Sequence, residues 1–91
     1  MEQKPIRATE LKVDITDEFK KLDKETQAKI VKELNKSLVN DRDYDSFFNA
    51  LNEYFKKNNV DFMEKINNVD DKQLLYVFLS MTLKIAYGKP E

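Results

Sequence analysis

Residues 71–87 read DKQLLYVFLSMTLKIAY. Wound as a helix at about 100° per residue, Leu74, Leu75, Tyr76, Val77, Phe78, Leu79, Met81, Leu83, Ile85, Ala86 and Tyr87 surround the axis, and Gln73, Ser80 and Lys84 share a narrow polar wedge. A helix apolar on nearly every side needs cover on nearly every side, from its own neighbours or from a second copy of the chain. Its ends are marked. Asp70 with Gln73 three residues on has the spacing of a capping box, and Val69 with Leu74 that of a hydrophobic staple. Gly88 stands where a left-handed residue closes a helix, and Pro90 follows where none can continue. Ser80, Thr82 and Lys84 interrupt the apolar run, which is also shorter than the ~18–20 residues a bilayer demands, so it is not read as a membrane span.

The segments upstream supply the wrapping. Asp61 with Glu64 has capping-box spacing and opens a short helix bearing Phe62, Met63 and Ile66. Before it, from about Tyr44 to Lys57, the residues Tyr44, Phe47, Phe48, Leu51, Tyr54 and Phe55 fall within an arc of about 120°, leaving Asn49, Asn52, Glu53, Lys56 and Lys57 outside. Asp43 is its cap. From Lys24 to about Val39, Ala28, Val31, Leu34 and Leu38, with Ile30 beside them, recur at three and four and define another buried face, capped by Asp23. Thr16 with Asp17 and Glu18 reads as the start of a short helix carrying Phe19 and Leu22. Residues 1–15 read differently. Pro5 blocks an early helix, and Leu11, Lys12, Val13, Asp14 and Ile15 alternate in the period of a strand, which predicts an extended arm lying in a groove or paired with another chain. The expected fold is therefore all-α: about five helices, two of them short, around a central hydrophobic C-terminal helix. An extended arm over 1–15 precedes a single helical domain over 16–91.

Ninety-one residues allow one modest core, burying about 60–65% of the surface the unfolded chain exposes. One Gly and two Pro are too few for a many-stranded sheet, and 41% hydrophobic residues are too many for a disordered chain. Sixteen basic against seventeen acidic residues leave a net charge of -1, so no whole-molecule field draws nucleic acid or membrane. The absence of Cys removes disulfides, thiolate nucleophiles and Cys-based metal sites; the absence of His removes the usual general base and imidazole ligand. Residues 1–10 lack the apolar run of a secretory signal, which sets the expected location as cytoplasmic. Fourteen of the basic residues are Lys and eight residues are Asn, a bias that follows AT-rich coding sequence and points to a low-GC bacterium or its phage.

Three chemical motifs compete with structural readings. Asp41, Asp43 and Asp45 match the first three ligand positions of a calcium loop, but Ser46 stands where the turn needs Gly and Asn52 where it needs the bidentate Glu. Three acids at a helix start serve the positive end of its dipole instead. Lys20, Lys21, Lys24, Lys29, Lys32 and Lys36 could meet phosphates, yet Asp17, Glu18, Asp23, Glu25 and Glu33 are interleaved with them and nearly cancel their charge. No Gly-rich phosphate cradle exists, and paired carboxylates such as Asp70 with Asp71 already have capping work. The expectation is a non-catalytic protein without metal, cofactor or small-molecule substrate. It acts in protein–protein association, with itself or with a larger host protein. Ile6, Leu11, Val13 and Ile15 on the arm and Tyr76, Leu83 and Tyr87 on the last helix are the contact residues. The alternative is a nucleic-acid accessory protein that joins two copies of the Lys20–Lys36 face in a dimer.

Overall fold

The computed structural model describes residues 5–88. It holds five helices: α1 (Ala8–Lys20), α2 (Lys24–Val39), α3 (Tyr44–Lys56), α4 (Met63–Asn67) and α5 (Lys72–Gly88). Helix α5 packs against α1, α2 and α3, while α4 lies on α3. The chain is the small all-α bundle that its patterning predicts, built around its C-terminal helix. Among the described residues the one β-type contact is an isolated parallel bridge between Ile6 and Val69.

The N-terminal segment departs from expectation. Only residues 5–7 of the arm expected over 1–15 are non-helical among those described, and residues 1–4 lie outside the description. Leu11 and Ile15 fit a two-residue period, but they equally fit the three–four helical spacing that Ala8 and Phe19 extend in both directions. All four are buried along one side of α1. Continuous burial against a helix stabilises more than pairing of one isolated strand, so the helical period wins. The boundary expected at 15/16 consequently falls inside α1, and α4 is the single short helix. Thr16 is not a cap: it sits mid-helix with its hydroxyl 3.4 Å from that of Thr82.

Helix α1 has no side-chain cap of its own at Arg7. Its cap comes from far along the chain: the Ala8 N–H donates to Asp70 Oδ1 at 3.1 Å. Two backbone bonds complete the stitch, from Ile6 N–H to Asn68 O at 3.0 Å and from Asp70 N–H to Ile6 O at 2.8 Å. With Asp70 so engaged, α5 is capped one residue later than its sequence suggested, by Asp71, whose Oδ1 accepts from the Leu74 N–H at 3.0 Å. Helix α5 then continues through Gly88, which is not left-handed, and Pro90 lies outside the described residues. The Lys24 ammonium donates to Tyr87 O at 2.7 Å and lies 4.9 Å from the Tyr87 ring centroid, placing a cation at the negative end of the helix dipole.

Asp23 and Asp43 cap α2 and α3 as expected, accepting from the N–H groups of Thr26 and Ser46. The aromatic stripe of α3 is core: Phe47, Phe48, Leu51 and Phe55 are buried, and Tyr44 and Tyr54 half-buried. Tyr76 enters among them edge-on, with ring centroids 5.8 Å from Phe47 and 6.4 Å from Phe48. Three polar residues join the interior, each with a backbone or side-chain partner. Gln27 Nε2 donates to Phe19 O and Leu22 O, closing the end of α1. Ser37 Oγ lies 2.7 Å from Tyr76 Oη and donates to Leu34 O. Asn52, expected outside the stripe of α3, is buried and accepts from the Phe62 N–H at 2.9 Å.

Candidate functional site

Helix α5 shows two different sides. Leu75, Tyr76, Leu79 and Leu83 are buried against the other helices. On the opposite side Leu74 is 40% exposed, Val77 38%, Met81 56% and Ile85 61%, forming one stripe within an arc of about 80°. Three neighbouring helices cover roughly half the cylinder, and among the described residues no further helix packs on the rest. Single exposed apolar side chains are ordinary on a protein surface; four in register along one helix are not.

Helix α1 flanks this stripe and runs parallel to α5. Lys12 lies over Phe78 at 5.1 Å from the ring centroid, and Thr16 meets Thr82, so a residue of α1 sits level with the one 66 positions later. Val13, 49% exposed, is the large apolar side chain that α1 leaves open, further round the helix from Lys12 and Thr16. Phe78, half-buried, lies on the side of α5 that faces α1. Charge along α5 is sparse: Lys72 and Lys84 only, with no acid.

The seven contact residues expected from sequence are dispersed by the fold. Leu11, Ile15, Tyr76 and Leu83 are core residues, each at most 1% exposed, and so cannot present a surface in this fold. Ile6 is half-buried in the backbone stitch with Val69, and Tyr87 is half-buried beneath Lys24. Val13 is the one of the seven that stands open. Leu74, Val77, Met81 and Ile85 were hidden by the nearly uniform apolarity of α5. The polar wedge of Gln73, Ser80 and Lys84 suggested an outward direction about 80° away from the true one. The signal that finds them is the placement of Leu75, Leu79 and Leu83, which fixes the inward direction once α1 is read as a helix.

Elsewhere among the described residues Val39 of α2 is the one other large apolar side chain left open, and several charged groups are engaged locally. Asp43 of the Asp41, Asp43, Asp45 string takes the Ser46 hydroxyl on Oδ2 at 2.7 Å and its N–H on Oδ1 at 3.2 Å, and these bonds hold its carboxyl below the usual carboxylate range. Hydrogen bonding from Thr26 likewise lowers Asp23, and the Met63 N–H lowers Asp61. Among the described residues no group of three or more acidic side chains converges as a metal set. The six lysines from Lys20 to Lys36 are split between the end of α1, the turn and α2. Lys21 pairs with Glu18 at 3.2 Å, Lys29 with Glu25 at 3.7 Å, and Lys24 folds back onto Tyr87. No described helix is long and apolar enough to cross a membrane. Comparison of the chain with protein-family models, with curated proteins and with solved structures finds no match.

Proposed function

We propose that this chain is a small, non-catalytic protein–protein association domain whose contact surface is the outward side of α5. The observation that carries this reading is the aligned exposure of Leu74, Val77, Met81 and Ile85 on the helix that also forms the centre of the core. Together with Val13 they offer on the order of 400 Å² of apolar surface, within the range of the largest patch a monomer leaves open. Water contact there is unfavourable by roughly 25 cal/mol per Å², so covering the stripe supplies the driving force for association. The lysine-for-arginine bias and the lack of cysteine support a cytoplasmic setting in a low-GC bacterium or its phage.

The test compares wild type with Met81→Lys and Ile85→Lys in cross-linking from cell extract, with Val39→Lys as control. Val39 is 89% exposed and belongs to a different helix, α2. Proteins captured by wild type, further copies of the chain included, are expected to be lost with both α5 variants and retained with Val39→Lys. An identical captured set for all four proteins refutes the reading.

A further inference from the structure

We infer that the occupant of the α5 surface is a second copy of this chain, docked antiparallel about a two-fold axis at the level of Leu79 and Val13. This rests on the reading of α5 as the contact surface and adds the identity and orientation of the partner.

A two-fold interface must be self-complementary, so the residues on it have to be distributed evenly about the axis. The exposed stripe meets that condition. Leu74 and Ile85 lie at its ends, and their midpoint falls between Leu79 and Ser80. Val13 is carried by a different helix, yet the parallel register of α1 and α5 places it level with Leu79, midway along the stripe's length. In the antiparallel arrangement Leu74 faces Ile85 of the second copy, Met81 faces Val77 and Phe78 of the second copy, and the two Val13 side chains approach each other beside the axis. The two pairs α1 and α5 then form four helices around one apolar seam, and the open side of α5 acquires the cover that its sequence calls for.

Charge is compatible with this pairing where the helices come closest. Lys84 and Gln73 lie on the same side of α5, and the two-fold brings Lys84 within about two residues of the level of Gln73 of the second copy, where Asp41 and Arg42 line the same depression, so the ammonium meets an amide beside one charge of each sign. At the outer rim, on α1, Lys20 comes level with Arg7 of the second copy and Glu10 with Asp17. These like charges are solvent-exposed, and salt screens their repulsion. Association between copies therefore tightens as ionic strength rises, whereas docking to a charged partner or to nucleic acid weakens. The apolar stripe accounts for about half of the ~800 Å² per partner of a standard interface, and the flanks of α1 and α5 supply the remainder.

The chain lacks cysteine, so single introduced thiols report on this geometry without interference. Val13→Cys is expected to form disulfide-linked dimers on mild oxidation. Leu74→Cys alone is not, because its two copies lie about 16 Å apart along the axis, eleven residues at ~1.5 Å each. A mixture of Leu74→Cys with Ile85→Cys is expected to cross-link, and Val39→Cys sets the background. Sedimentation velocity is expected to show a dimer that high salt strengthens and that Met81→Lys weakens by roughly 10–100-fold in Kd. Strong self-cross-linking of Leu74→Cys overturns the antiparallel orientation. A monomer at high micromolar concentration in both low and high salt overturns the second copy as occupant. That last result leaves the wider reading of α5 standing, because only the insensitivity of capture to Met81→Lys and Ile85→Lys defeats it.

Discussion

Two substitutions two residues apart on α5 should have opposite fates. Leu79 is fully buried, and Leu79→Ala removes three carbons from a site closed by three helices; comparable truncations cost about 2–5 kcal/mol. Unfolding entropy near 2.1 cal/mol/K per residue gives a chain of this length about 0.19 kcal/mol/K, so each kcal/mol moves the midpoint by about 5 °C. The expected loss is therefore roughly 10–25 °C. Met81 is 56% exposed, and Lys matches Met closely in helix propensity, so Met81→Lys should stay within about 0.5 kcal/mol, or roughly 3 °C. Thermal melts followed by far-ultraviolet circular dichroism at low micromolar concentration measure both without a contribution from association. Repeating them at high concentration should separate wild type from Met81→Lys, because a bound partner stabilises only the former. A fall of 10 °C or more for Met81→Lys in the dilute sample would refute the two-sided description of α5, since it would mean that Met81 is packed within the monomer.

Ser37 and Tyr76 should show coupling: Tyr76→Phe leaves the Ser37 hydroxyl bonded to Leu34 O and costs about 0.5–1.5 kcal/mol, whereas Ser37→Ala strands a buried phenol and costs about 1–3 kcal/mol. The double variant should be less destabilised than the sum in urea titrations; strict additivity would mean the two hydroxyls do not meet. Asp70→Ala should destabilise by about 0.5–2 kcal/mol and speed amide exchange selectively at the start of α1, and unchanged exchange there would remove the cross-chain cap. Asp23, Asp43 and Asp61 titrate lower folded than unfolded, so their contribution is complete above the ordinary carboxylate value near 3.9 and is lost as pH falls through the lowered folded values. Melting temperature should decline on acidification through that window, and Asp43→Ala should shrink the decline; an equal pH dependence in the variant would show that Asp43 is not a titrating cap.

Helix content and most of the core were legible because capping residues and the three–four spacing are local signals. The stripe of α3 and the starts of α2 and α3 followed directly from Phe47, Phe48, Leu51 and Phe55 and from Asp23 and Asp43. Two kinds of information were not local. Leu11 and Ile15 satisfy both the strand and the helix period, and the choice is made by burial against α5, a partner dozens of residues away. In α5 itself a nearly unbroken apolar surface has no intrinsic inside, so its outward residues emerge only when three neighbours have taken their places. Buried Gln27, Ser37 and Asn52 escaped for the same reason: a polar residue enters a core only when a particular backbone or hydroxyl group is waiting for it.

The stitch between Ile6 and Val69, with Asp70 over the start of α1, also orders events during synthesis. Helix α1 leaves the ribosome before α5, yet the groups that hold it in place belong to a segment made after about fifty intervening residues. The nascent chain therefore carries the apolar side of α1 uncovered until α5 emerges, and closing so long a loop makes that docking a late event for a bundle of this size. Chaperone contact during translation should accordingly concentrate on Ala8–Lys20 and end when α5 clears the exit tunnel.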